Sequence, residues 1–216
     1  MALISKTRFI NINYNGRTYL DDTFNLNGKN TIILFENSGG KSVSLKFIMA
    51  PFLWKYKKYP PKVRESLWEI DSFFDKFNGP TYIMHELLLD NGQKMLITEG
   101  IYKDGSDDDE VLSKYVFVTI YDDENTYDYS LKNFPIVING IIKKPKELYN
   151  SLKSNPNIKC FSNKINTAPR TYEDFKEYLR EYSVNIDFIT DIMPIVLSSE
   201  GGITSVFFKY KTFQSL

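Results

Sequence analysis

Apolar and polar residues alternate early in the chain. Ile10, Ile12 and Tyr14 are separated by Asn11 and Asn13, the period-two pattern of a half-buried strand. Asn15-Gly16 is a hairpin turn signal, and residues Tyr19 to Leu26 supply the returning strand. Asn27-Gly28-Lys29-Asn30 marks a second turn, followed by an unbroken apolar run, Thr31–Phe35, that predicts a buried strand. The period then changes. Leu45, Ile48, Met49, Phe52 and Leu53 follow helical spacing, and Pro51 should kink or end that helix near Ala50, because proline blocks an interior helical bond. Tyr59-Pro60-Pro61 is a linker, and Val63, Leu67, Ile70 and Phe74 predict a second amphipathic helix.

The middle of the chain carries the signals of an antiparallel meander. Strands are expected over Tyr82–Asp90 and Gln93–Tyr102 around Asn91-Gly92, over Lys114–Asp122 and Tyr127–Leu131 around Asp123-Glu124-Asn125, and at Ile136–Ile138 and Ile141–Ile142 around Asn139-Gly140. The acidic stretch within Lys103–Glu110 is expected as an exposed loop. The last third reads as helical. Thr171 with Asp174 forms a capping-box-like pair ahead of Phe175 and Leu179, and a shorter apolar piece, Ile186–Leu197, precedes a turn at Ser198–Gly202. One lobe over 1–216 is expected, with subregions 1–58, 59–79, 80–142 and 143–216. The fold class is α/β (α+β), with an antiparallel β-meander and flanking helices.

The junction between the buried strand and the first helix carries the chemistry. It reads Phe35-Glu36-Asn37-Ser38-Gly39-Gly40-Lys41-Ser42. A strand, a small polar loop and a helix N-terminus form a phosphate-binding P-loop. Successive backbone amides make a concave anion site, and the unpaired N–H groups of the helix's first turn point into it. Lys41 would reach the β- and γ-phosphates, and the Ser42 hydroxyl would ligate Mg²⁺. The usual pattern, G-x-x-x-x-G-K-[ST], is only partly met, since Phe35 stands where the first glycine belongs. Glu36 adds a carboxylate that must point away from a triphosphate. The competing reading is a Gly-Gly turn ahead of an ordinary amphipathic helix.

Composition narrows the partners. Lys+Arg and Asp+Glu balance at 27 each, so no global field attracts nucleic acid or anionic lipid. The single cysteine, Cys160, rules out an internal disulfide, and with one histidine, His85, a zinc site is improbable. The sequence has no secretory leader pattern and no run of 18 apolar residues. A cytoplasmic chain with no membrane partner is expected. His85, inside an apolar strand, reads as a satisfied core imidazole. Lys55, Lys57 and Lys58 among Trp54, Tyr56 and Tyr59 read as the cationic end of a helix or, less simply, as a nucleic-acid contact. Asp107-Asp108-Asp109-Glu110 lacks calcium-loop spacing.

The run Asn27–Ser42 resembles the N-terminal head segment of SMC-like ATPases, the ABC-type heads of SMC and MukB-like proteins. Pro80-Thr81-Tyr82-Ile83, the Asn91-Gly92 hairpin, and Glu200-Gly201-Gly202-Ile203 with Phe207–Thr212 are similar to segments of bacterial SMC-like ATPases, some of which serve plasmid- or phage-defence systems. The resemblance spans nearly the whole chain, though only the loop is chemically specific. It implies a P-loop ABC-type N-terminal head lobe that binds ATP and Mg²⁺. Asn37, Ser38, Gly39, Gly40, Lys41 and Ser42 would hold the nucleotide. Arg17 would be an added basic contact like that of related heads, where Arg8 is also a candidate, and an exposed solubilising role is the simpler alternative for Arg17.

The resemblance also shows what is missing. Such heads commonly read G-x-N-G-x-G-K-[ST]. Asn37, Gly40, Lys41 and Ser42 match, while Phe35 and Ser38 replace glycines. The glutamine that acts on metal and water would fall near Ser198-Ser199, where none stands; Gln93 and Gln214 lie in the wrong contexts. Leu87-Leu88-Leu89-Asp90 is better read as a strand entering a turn than as a Walker B strand. The chain stops at Leu216, about where a family member begins its coiled coil. The resemblance therefore implies half of an ATP site, completed by a C-terminal lobe of the same or another chain. It further implies a head-to-head dimer and DNA reached through the intact complex. A catalytically silent interaction module with a degenerate loop and a standalone P-loop phosphotransferase remain as alternatives.

Overall fold

The computed structural model describes residues 2–14, 17–28, 44, 47–52, 79–104, 111–164 and 169–187. Eight strands are defined among them: β1 (Leu3–Tyr14), β2 (Arg17–Asn25), β3 (Thr81–Leu88), β4 (Lys94–Asp104), β5 (Val111–Tyr121), β6 (Val137–Ile138), β7 (Ile141–Ile142) and β8 (Ile158–Lys164). The helices are α1 (Pro145–Leu152) and α2 (Pro169–Glu181), with a 3-10 turn at Ala50–Phe52. Residues 44 and 47–49 are also helical. The architecture is α+β.

One six-stranded sheet runs in the order β2-β1-β3-β4-β5-β8, antiparallel at every pairing, and β6–β7 form a separate small hairpin. β3 lies at its centre and is buried at every position from Thr81 to Leu87. This explains why its sequence is largely apolar without a strict alternation, the behaviour of a strand covered on both faces.

Two cores flank the sheet. On one face Leu87, Met95, Ile97, Val116, Val118 and Phe161 pack beneath Phe52 and the α2 residues Tyr172, Phe175 and Leu179. On the other, Tyr82, Met84, Leu96 and Phe117 pack beneath Leu131, Phe134 and the α1 residues Leu148 and Leu152. α1 sits tight on the sheet at Gly100, where an added Cβ would lie 2.7 Å from Tyr82 and 2.9 Å from Pro145. A glycine inside a strand commonly marks such an approach.

The turns follow local chemistry. Asn139 and Gly140 both take positive φ, 53° and 76°, as a type I′ hairpin turn requires. Asn27 and Gly28 do likewise at 55° and 59°, at the second turn expected from the sequence. Asn91-Gly92 turns the chain differently. The Gly92 N–H donates to Leu89 C=O, only Gly92 has positive φ, and the Asn91 side chain accepts from Gln93 N–H. This is a three-residue loop with a glycine bulge rather than a two-residue turn.

Three expectations are corrected. Tyr127–Leu131 is not a strand but a run of turns, in which Tyr127 stacks on Tyr121 and meets Tyr129 edge to face instead of pairing in a ladder. Thr171 does not cap α2. The helix begins at Pro169, within whose first turn proline's fixed φ is well placed, so Thr171 lies inside. The region 143–216 is not purely helical either. Asn155-Pro156-Asn157 turns the chain, with Asn157 N–H donating to Asn155 Oδ1, and β8 follows as the edge strand beside β5. The expected strand at Thr31–Phe35, the linker, the helix around Val63–Phe74, the acidic residues 107–110 and the segments beyond 187 lie outside the described residues.

Candidate phosphate-loop site and its surroundings

Asn37, Ser38, Gly39, Gly40, Lys41 and Ser42 lie outside the described residues. Arg17 opens β2, its backbone paired with Tyr14, and its side chain is not among those described. What the structure does describe is the seat of the helix that follows the loop, from residue 44 onward.

That seat is built from aromatic and hydroxyl groups. Phe47 is fully buried, its ring 6.0 Å from Phe9 of β1, edge to face. Phe9 in turn meets Tyr19 and Phe24 of β2, each at 5.6 Å, within the spacing at which aromatic pairs attract beyond simple burial. The Tyr19 hydroxyl is 3.3 Å from Ser44 Oγ. Pro51 ends the regular helix as expected, and the chain tightens into the 3-10 turn at Ala50. Phe52 then stacks on His85 of β3, centroids 5.6 Å apart and 10° from parallel.

His85 is a core imidazole, as its apolar strand suggested, but not a fully satisfied one: its Nε2 has no hydrogen-bond partner among the described residues. It is wholly buried, its Nδ1 2.9 Å from Thr7 Oγ1. Burial holds it well below its ordinary value, at about 3, and the Ile48 backbone offsets only part of that effect. The ring is therefore neutral at physiological pH, a packing and hydrogen-bonding element rather than a base. On the same face Glu99 and Lys114, both buried, form an ion pair at 3.3 Å.

The opposite face carries a second polar group. Glu86 is 1% exposed. It accepts hydrogen bonds from Ser5 Oγ and the Tyr121 hydroxyl, each at 2.6 Å, with Lys6 and Lys94 at 3.7 and 3.8 Å. Burial, and then the Glu86 carboxylate, push the Tyr121 hydroxyl far upward, so it remains a donor. Lys6 also pairs with Glu124. Burial alone would lower the Lys6 ammonium, but Glu124 and Glu86 together raise it. Arg8 lies beside this group. It binds Asp21 through two nitrogens, at 2.7 and 2.8 Å, donates to Leu131 C=O, and holds the Asp21 carboxyl below its usual range.

Lys6, Arg8, Asp21, Thr23, Asn25, Glu124, Leu131 and Lys132 line a cleft of 340 Å³ there. Arg8 thus lies on the face of the sheet opposite Phe47 and Phe52. Apart from Lys132 and the uncharged lining residues, the cleft's side chains are committed to one another.

Asp90 is exposed in the β3–β4 turn, which agrees with the turn reading and not with a Walker B acid. Among the described residues, no group of three His, Cys, Asp or Glu side chains is placed to hold a metal ion, and no helix is long and apolar enough to cross a membrane. Tyr172, Ser44 and Thr7, which complete the helix seat, were not singled out in the sequence. Their hydroxyls act across 120, 25 and 78 positions, distances over which spacing carries no signal. No known family model matches the chain, and no curated protein matches it.

Proposed function

We propose that this chain is the ATP–Mg²⁺-binding half of an SMC-like, ABC-type ATPase head. The observation that carries the reading is the Asn37–Ser42 loop, which ends directly ahead of a helix seated on a sheet that begins with an N-terminal hairpin. The donor set suits a triphosphate: backbone amides for the phosphate oxygens, the Lys41 ammonium for the β- and γ-phosphates, the Ser42 hydroxyl for Mg²⁺. Phosphoryl transfer depends on positioning and on charge stabilisation. The chain lacks the glutamine near Ser198-Ser199 and a Walker B acidic pair, so it grips the nucleotide without cleaving it efficiently. A C-terminal lobe, of the same or another chain, would supply the Walker B acidic pair, while the glutamine's place in this lobe stays unfilled. ATP would then act as a bridge between two heads, and its hydrolysis would release them, coupling a local charge change to movement of the DNA-bound assembly.

The test is binding of a fluorescent ATP analogue with Mg²⁺. Lys41→Ala removes a charge-assisted contact and should weaken binding by about 10- to 100-fold, and the chain alone should turn over ATP negligibly. Binding that is absent, or indifferent to Lys41, sinks this reading in favour of a silent interaction module. Robust hydrolysis by the chain alone would favour a standalone phosphotransferase.

A further inference from the structure

Pro51 interrupts the regular helix that follows the Asn37–Ser42 loop, and the chain passes into the 3-10 turn Ala50–Phe52. At the end of the 3-10 turn a distant element supplies a donor. The Tyr172 hydroxyl of α2 donates to Phe52 C=O at 2.8 Å, in a buried contact between residues 120 positions apart. The Phe52 ring is held from the sheet side by His85, which Thr7 fixes in turn. Phe52 is therefore gripped from the sheet through its ring and from α2 through its carbonyl, and it is 1% exposed. Tyr172 is 4% exposed and packs with Phe175 and Phe52 in a single core.

We infer that α2 braces the helix leaving the phosphate loop, and that Tyr172 is a positioning residue for the phosphate grip. The second half of this inference rests on the proposed ATP site. The loop's amides bind phosphate only as well as the helix behind them is held, because binding to a preorganised site avoids the cost of ordering it. By reciprocity, a nucleotide that fixes the loop also tightens α2.

The test uses the full chain and Tyr172→Phe, which keeps the ring and removes the donor. Tyr178→Phe on the same helix serves as control, since Tyr178 faces Phe161 and Tyr182 instead. Amide hydrogen exchange over residues 44–52 is measured without nucleotide, and fluorescent ATP-analogue affinity is measured where both variants are fully folded. Tyr172→Phe should lower exchange protection over 44–52 by about 3- to 10-fold and weaken the analogue by a similar factor, while Tyr178→Phe moves neither.

Unchanged exchange in Tyr172→Phe overturns the brace whatever the nucleotide does. Faster exchange with unchanged affinity overturns the positioning role and leaves the ATP site standing. A wild type that shows no Lys41-dependent binding overturns the ATP site and the positioning role together, while the exchange result still decides the brace. Should Tyr172→Phe fail to fold, His85→Asn, which loosens the same carbonyl's ring from the sheet side, is read by the same two measurements.

Discussion

A buried histidine that must stay neutral makes stability depend on pH. The native ring titrates at about 3 because burial disfavours its charge, whereas an unfolded histidine titrates near 6.5. Between these values the unfolded chain binds a proton that the native chain does not, so stability rises with pH across that window. The contribution is complete above pH 6.5 and is lost as pH falls toward 3, at up to about 1.4 kcal/mol per pH unit. Urea unfolding at pH 7 and pH 5 should show a larger loss for the wild type than for His85→Asn. Carboxylates elsewhere titrate equally in both proteins, so the difference between the two isolates the histidine. Equal losses would mean that the ring reaches solvent. Cys160 is subject to the same physics with the opposite sign, burial pushing its thiol up to about 11.

The elements depend on a few close approaches, among them that of α1 to the sheet at Gly100. Gly100→Ala inserts a methyl group between Tyr82 and Pro145, and backbone or ring must give way. Overpacking of this kind costs about 1–3 kcal/mol, and Tyr82, whose hydroxyl donates to Lys143 C=O, would be displaced with it. Thermal unfolding of Gly100→Ala should show a lower midpoint, and Tyr82→Phe should remove less, since it keeps the ring.

Much of the element plan was legible in the sequence. β1 through β5 and the small β6–β7 hairpin follow from alternation and from Asn-Gly signals. The change from helix to 3-10 turn follows from Pro51. What was hidden depends on tertiary choice. β8 mixes Lys159 and Ser162 with Phe161 because it is an edge strand, covered on one face only in part. The tyrosines at 127 and 129 have strand propensity, but their packing on neighbouring aromatic rings overrides it. Of the candidate site, the loop was legible as a motif, whereas its seat was not. Phe52, His85, Thr7 and Tyr172 meet only once the sheet has formed.

At the scale of the molecule, one six-stranded antiparallel sheet bears a helix-bearing core on each face. Charge follows that division. Glu99–Lys114 lies on the face of the loop helix, and the Lys6–Glu86–Lys94 group lies on the other. The cations of the second group are partnered, and Lys+Arg and Asp+Glu balance at 27 each over the sequence, so the isolated chain should bind DNA weakly. Mobility-shift titration of the isolated chain should show no band shift at physiological salt. Tight binding would locate a DNA surface on this lobe itself.

The insertion of β1 between β2 and β3 carries a kinetic consequence. β3, β4 and β5 pair through short connections, so that hairpin ladder can zip quickly, whereas Thr7 must find His85 across 78 positions. Closing so long a loop costs chain entropy before any contact offsets it. The phosphate loop belongs to the segment enclosed by that closure. In stopped-flow refolding, truncations within the β3–β4–β5 ladder should chiefly slow folding, while truncations along the β1–β3 seam should chiefly speed unfolding. A chain emerging from the ribosome cannot close the β1–β3 seam until β3 is made, so the long segment between them is enclosed late in folding.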